Sequence, residues 1–205
     1  MPNDCAPAIT AVVLAGGRAT RMGGQDKGLV PLAGKPMVAW VIAALAPQAG
    51  RLLINANRNL AAYAAFGCEV VPDAEGGFLG PLAGLAAALD VADTPFVLTA
   101  PCDSPLVAPD LAARLHAASV QSGAEIAVAH DGERLQPVFA LYRREVAPSL
   151  TAYLAGGGRK IDRWYAAHSL VEVDFSDRKE SFLNVNDPAG REALEARMAP
   201  RTPVP

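Results

Sequence analysis

Long apolar stretches are missing from this 205-residue chain. No run approaches the roughly 18 residues a membrane helix needs, so no membrane partner is expected. Basic runs are missing too. The formal net charge is −3, and nucleic acid is an unexpected partner for such a surface. Cysteine is sparse: Cys5, Cys68 and Cys102 show no C-x-x-C spacing, and their odd number argues against a disulfide framework. A reduced, cytoplasmic protein is the expectation. Residues 1–8 carry Asp4 and two prolines but no charged n-region or apolar h-region, so they do not read as a signal peptide. No linker and no internal repeat divides the chain. The expected organisation is a flexible N-terminus at 1–8, a single domain at 9–198 and a flexible tail at 199–205. A composition of 51% hydrophobic and 19% charged residues is enough for a sizeable core.

The two commonest glycine loops are absent as well. The only Gly-Lys pair, Gly34-Lys35, is followed by Pro36, so there is no Walker A motif, and no G-x-G-x-x-G occurs. What stands in their place is residues 14–27, Leu-Ala-Gly-Gly-Arg-Ala-Thr-Arg-Met-Gly-Gly-Gln-Asp-Lys. Four of these fourteen residues are glycine and three are cationic. The segment follows Ile9-Thr10-Ala11-Val12-Val13, an apolar, β-branched run that reads as a buried strand. Glycines let the backbone approach a ligand, and exposed N–H groups beside Arg and Lys suit anionic oxygens. Leu14, Ala15, Gly16 and Gly17 are assigned to backbone contact with a phosphate, and Arg21 and Lys27 to its charge. The middle of the loop is expected to order around its ligand. The competing reading is a mobile surface loop without one.

Strand and helix patterns alternate from there on. Strands are expected at 51–55, 69–73, 95–100, 124–129, 136–142 and 170–175, and residues 182–185 read as strand-like. Helices are expected from Pro36 through Leu45, from Asn59 to Gly67 with Asn59 as cap, at 81–90, 110–122 and 145–155, and at 188–198 with Asp187 as cap, with another through Trp164 and Tyr165. This β-α-β-α order argues for an α/β fold with a parallel, doubly wound sheet, which binds ligands at the carboxyl ends of its strands. The polar residues fall at those ends: the glycine loop, Asn55-Ala56-Asn57-Arg58, Asp73, and Asp103 braced between Pro101 and Pro105. A loop, a carboxamide and two carboxylates are expected to share one crevice. Mg²⁺ takes one or two protein carboxylates and completes its shell with water and phosphate oxygens, a role that suits Asp103; an Asx-turn is the plain alternative. Arg159 and Lys160 follow three glycines and are candidates for an acceptor phosphate, as is Asn186 near the C-terminus; a solvated loop and a helix start are the structural alternatives. Cys102 is expected to pack rather than react. His116, His130 and His168 are read as surface or packing residues.

The chain also carries Leu14-Ala15-Gly16-Gly17, Arg21-Met22-Gly23-Gly24, Asp26-Lys27, Asn55-Ala56-Asn57-Arg58, Asp73, Gly80-Pro81-Leu82-Ala83-Gly84, Pro101-Cys102-Asp103, His130-Asp131-Gly132-Glu133-Arg134, Asp174-Phe175-Ser176-Asp177 and Asn184-Val185-Asn186. In this combination, from about residue 9 to 198, it resembles the molybdenum cofactor guanylyltransferases. These belong to the nucleotidyltransferases with a glycosyltransferase-A-like, Rossmann-like fold. The resemblance implies a three-layer, mostly parallel sheet, GTP and Mg²⁺ as ligands, molybdopterin as acceptor, and pyrophosphate as the second product. It also implies transient contact with proteins that deliver or receive the cofactor. It assigns GTP binding to Leu14, Ala15, Gly16, Lys27, Asn55 and Asp73, and metal binding to Asp103. The alternatives are a cytidylyltransferase on the same acceptor, a sugar-phosphate nucleotidyltransferase, and a nucleotide-binding adaptor without chemistry.

Overall fold

A computed structural model describes residues 8–17, 26–74 and 80–198. Residues 18–25 of the glycine loop, including Arg21, and the expectation of the loop's ordering lie outside the described residues, as do both ends of the chain.

The first strand, β1 (Ile9–Leu14), is buried on both faces, which is why it reads as one apolar run. Alternate residues serve opposite layers. Ile9, Ala11 and Val13 join one core, and Val12 joins the other. A tight hairpin follows, β2 (Pro31–Leu32) and β3 (Lys35–Pro36), turned by Ala33 and Gly34 at φ 47° and 80°. Sequence patterning had no strand here. Helix α1 (Met37–Leu45) leads to β4 (Arg51–Asn55). Next come α2 (Leu60–Ala64), β5 (Glu69–Val71), α3 (Pro81–Val91), β6 (Phe96–Pro101) and α4 (Leu111–Ser122). The second half adds β7 (Ile126–His130), β8 (Leu135–Arg143), α5 (Ala147–Ala155), α6 (Ile161–Tyr165), β9 (Leu170–Asp174) and α7 (Pro188–Met198). None of the described helices is long and apolar enough to cross a membrane.

Seven strands form one sheet in the order β5-β4-β1-β6-β8-β7-β9. All run the same way except β8, which is antiparallel to both β6 and β7. The doubly wound, mostly parallel expectation holds, with this one strand reversed. The reversal comes from a hairpin at residues 131–134. Asp131 Oδ1 accepts from the backbone N–H of Glu133 and Arg134 at 2.8 Å each, and Gly132 supplies φ 93°. One face of the sheet packs on α1, α2, α4 and the 3₁₀ segment Ser176–Phe182, and the other on α3, α5 and α6. A third, smaller cluster joins Leu32, Met37, Val185 and Leu194, so α7 docks on the β2–β3 hairpin.

Two local expectations change. Asn59 does not cap α2; it sits in the left-handed region at φ 51°, with no side-chain bond to the helix. Residues 182–185 form no strand. They leave the 3₁₀ segment in irregular backbone and are held by the Val185 N–H donating to the Asp103 carbonyl at 2.9 Å. Asp187, by contrast, caps α7 as expected, its Oδ1 accepting from the Gly190 N–H at 2.7 Å.

Candidate active site

Strand register places the candidate residues. Leu14 pairs with Asn55 on one side of β1 and with Pro101 on the other. Asn55 in turn pairs with Val71 of β5. The start of the glycine loop, Asn55, Asp73 and Asp103 therefore stand along one edge, at the point where the chain turns from β4 and β5 back across β1 to β6. Open α/β sheets bind ligands at such a switch point.

One end of the site is a carboxamide–carboxylate unit. Asn55 is only 3% exposed. Its Nδ2 donates to the Val71 carbonyl at 3.0 Å and to Asp73 Oδ1 at 2.8 Å. Asn57 Nδ2 donates to Asp73 Oδ2 at 2.7 Å, and Asn57 Oδ1 accepts from the Asp73 N–H at 2.8 Å. Both Asn55 amide hydrogens are thus engaged, while each Asp73 oxygen keeps a further lone pair. The Asn55 carbonyl accepts from the Ala15 N–H at 2.8 Å, which ties this unit to the loop. Close packing here demands glycine. A Cβ on Gly16 would stand 3.1 Å from Asn55 Oδ1, and one on Gly84 of α3 would stand 2.7 Å from Asn55 Cγ and 2.8 Å from Leu14 Cδ2. For Gly17, in contrast, no atom of the described residues lies within 4 Å of such a Cβ. Among the described residues no backbone carbonyl accepts from the N–H of Gly16 or Gly17, and N–H groups in such a loop suit anionic oxygens.

The other end is built around Lys27. Its Nζ donates to Asp103 Oδ2 at 3.2 Å and to Asn186 Oδ1 at 2.6 Å. The lysine and aspartate side chains are 21% and 14% exposed, so the pair is partly desolvated and open on one side. The Cys102 N–H donates to the Leu14 carbonyl at 3.1 Å, extending the β1–β6 pairing to the residue before Asp103. The Asp103 carbonyl holds Val185, and Ser104 Oγ bonds Asn184 Oδ1. The segment carrying Asn184 and Asn186 is therefore strapped across the Asp103 turn from the far end of the chain. Sequence reasoning assigned no role to Asn57, Ser104, Asn184 or Gly84. The Asn-Val-Asn motif was the one sequence signal for the strap.

Arg159 and Lys160 are not brought to this cluster by any bond. Arg159 Nη1 donates to the carbonyls of Leu154 and Gly158 at 2.8 and 2.6 Å, closing the end of α5. Lys160 is exposed, and its carbonyl accepts from Tyr153 Oη at 2.9 Å. Cys102 is buried. Burial above all, and the nearby Asp103 and Asp26 charges, push its thiol well above the ordinary range against the opposing effect of Lys27. It stays protonated and packs, as expected. His116 stacks edge-on against Phe96 at 4.8 Å, and His168 lies between Ser149 and Glu125. Both are packing residues, as expected. No group of three or more His, Cys, Asp or Glu side chains that could hold a metal occurs among the described residues. The arrangement instead offers one carboxylate, one amide oxygen and one ammonium beside the start of the glycine loop. Those are the parts for holding a polyphosphate with a hard cation, not for a closed transition-metal centre.

Comparison with known proteins shows the family. The profile of the MobA-like NTP transferase domain matches residues 11–171; the strap bearing Asn186 lies beyond that span. A molybdenum cofactor guanylyltransferase of Shewanella sp. (strain MR-4) is 50% identical over 190 residues, covering 93% of this chain and 96% of its own length. That of Shewanella loihica is 48% identical over 193 residues, covering 94% and 98%. Among solved structures, molybdopterin-guanine dinucleotide biosynthesis protein A from Archaeoglobus fulgidus superposes with a TM-score of 0.77. It covers 93% of this chain and 98% of that one at 24% identity, a likeness of fold.

Proposed function

The chain belongs to the MobA-like NTP transferase family, and from that premise we propose that it transfers GMP from GTP to the terminal phosphate of molybdopterin. An oxygen of the acceptor phosphate attacks the α-phosphorus of GTP. The bond to the bridging oxygen of the β-phosphate breaks, and pyrophosphate leaves. The acceptor phosphate is already ionised at neutral pH, so the reaction asks for no general base. None of the bonds that Lys27 and Asp103 make with one another and with Asn186 involves a histidine. Positioning and charge neutralisation carry such a transfer.

The observation that carries the reading is the position of Lys27. It reaches Asp103 and Asn186 together, on the same sheet edge as the Asn55–Asp73 unit. Lys27 neutralises the departing phosphates, with the N–H groups of Gly16 and Gly17 directed at their oxygens. Arg21 is assigned to the same charge. Asp73 and Asn55 read the base. The unspent lone pairs of Asp73 and the Asn55 carbonyl oxygen suit the N1–H and N2–H₂ donors of guanine. Asn186, which accepts from the Lys27 ammonium, is assigned to the acceptor phosphate.

Mg²⁺ fits the donors present. Asp103 and Asn186 present hard oxygens, and their shared partner is already a cation, the Lys27 ammonium. Asp103 would hold the ion, with Asn186 beside it. When bound, the ion supplies neutralisation of charge on the phosphate oxygens. Free Cys68 and Cys102 suit a reducing cytoplasm, where delivery and maturation proteins for the cofactor would meet the enzyme.

The test is pyrophosphate release from purified protein given GTP, Mg²⁺ and molybdopterin. Release that requires all three, and that drops when CTP replaces GTP, supports the reading. Nucleotide binding without release would favour an adaptor, and equal release with CTP would move the assignment to cytidylyl transfer.

A further inference from the structure

Next to the Lys27–Asp103 pair lies a buried polar cluster that the transfer itself does not use. Asp26, the residue before Lys27, is 9% exposed. Its Oδ1 accepts from Tyr63 Oη at 2.5 Å. Its Oδ2 accepts from Asn59 Nδ2 at 3.0 Å and faces Arg58 Nε at 3.4 Å. Tyr63 is wholly buried. Desolvation above all, then the neighbouring Cys102 and Asp26, raises its hydroxyl far beyond the ordinary range, so it remains a donor.

Three features show that the chain is shaped to make this contact. A Cβ on Gly28 would stand 2.5 Å from Tyr63 Oη, so only glycine lets the hydroxyl reach Asp26. Asn59 stands in the left-handed region, and its side chain bonds Asp26 rather than the end of α2. The Asp26 side chain likewise does not cap the 3₁₀ turn Lys27–Leu29 that it begins. Its carbonyl accepts from the Leu29 N–H at 3.0 Å, and the Lys27 carbonyl accepts from the Val30 N–H at 3.2 Å. The peptide that carries Lys27 is therefore anchored on one side by a buried carboxylate and on the other by a closed turn.

We propose that Asp26 and Tyr63 are positioning residues for Lys27: the buried phenol–carboxylate bond fixes the turn from which the ammonium reaches the triphosphate. The pair sets nucleotide affinity without touching the nucleotide. A lysine side chain has several rotatable bonds, and its head is placed only as well as its backbone is held. This rests on Lys27 binding GTP, so the test measures binding directly and needs no acceptor.

Equilibrium dissociation constants for Mg-GTP are measured for the wild type, Tyr63→Phe, Lys27→Ala and the double variant. Removing a hydrogen bond to a buried charged group is expected to weaken binding by roughly five- to tenfold through displacement of Lys27. In the Lys27→Ala background the same change should alter the constant by less than about twofold, because the affected group is gone. Gly28→Ala, which crowds the hydroxyl from the opposite side, is run in the same cycle should Tyr63→Phe fail to fold. Unchanged affinity in the single variant overturns the proposal. So does an equal loss in both backgrounds, which would mark Tyr63 as a general structural residue. A wild type that does not bind Mg-GTP overturns the nucleotide assignment itself, and that result is visible before any variant is compared.

Discussion

Replacing Gly84 with alanine separates helix propensity from site packing. Gly84 lies inside α3, where Gly→Ala ordinarily stabilises a helix by about 1 kcal/mol. Here the new methyl would come within 2.7 Å of Asn55 Cγ and 2.8 Å of Leu14 Cδ2. Overpacking of this kind costs about 1–3 kcal/mol. Asn55 cannot retreat freely, because its amide donates to both Val71 and Asp73. Stretching those two bonds costs about 0.5–1.5 kcal/mol each. The losses outweigh the propensity gain, and a net destabilisation of about 2 kcal/mol is expected. For a chain of this size that is a drop of roughly 4–8 °C in melting temperature. GTP affinity should fall with it, because the displaced Asn55 carries Asp73 and the Ala15 N–H. Calorimetry with and without GTP checks both parts. A variant that melts about as high as the parent or higher, with unchanged GTP affinity, would refute the packing argument.

Four further outcomes are expected. Asp73→Ala should erase most of the preference for GTP over CTP, measured by competition, since it removes the acceptor for guanine and strands the Asn55 and Asn57 amides; full retention of the preference would reject the base-reading role. Asp103→Asn should lower pyrophosphate release by roughly 100-fold or more with little change in melting temperature, because the carboxylate opposite the phosphates is lost while the fold contacts of its backbone remain. Cys102 should resist iodoacetamide in the native protein at pH 8 and label after denaturation, as seen by mass spectrometry, because burial keeps its thiol protonated. Glu125 has a lowered carboxyl pKa, chiefly from the Ser169 backbone N–H and also from His168. A lowered pKa contributes stability that is complete above the unfolded value and fades as pH falls through the folded one. The melting gap between wild type and Glu125→Gln should therefore be present at pH 7 and shrink below about pH 4.5, the unfolded range for this carboxyl.

Much of this protein follows from short-range rules. The buried strands announce themselves because β1, β4 and β6 are covered on both faces and so carry unbroken apolar runs. Polar residues that interrupt the pattern at strand ends must then share one edge, which is how Asn55, Asp73 and Asp103 are found without coordinates. Asp187 before Pro188 reads as a cap because the bond it makes is only three residues long.

The expectations that changed depend on pairings that apolar periodicity does not register. Asn59 looks like a helix cap, but a buried, charged acceptor at Asp26 outcompetes the local backbone N–H for its amide. Arg159 looks free on its glycine loop, but the carbonyls of Leu154 and Gly158, at and just past the end of α5, take its guanidinium. The reversal of β8 turns on the Asp131-Gly132 hairpin, which is hard to separate from an ordinary loop inside an alternating α/β pattern. The β2–β3 hairpin is too short for periodicity to register.

The positions of the strands and the edge on which a nucleotide must sit were thus set locally, by apolar periodicity and by the residues that break it. The tertiary structure alone decided that Lys27 meets both Asp103 and Asn186, 76 and 159 residues away, and that the C-terminal strap closes the site. It alone decided that residues 14–27 are anchored at their far end through Asp26 and Tyr63. Such contacts carry no sequence period, because they join groups whose only relation is that folding brings their charges and lone pairs within bonding distance.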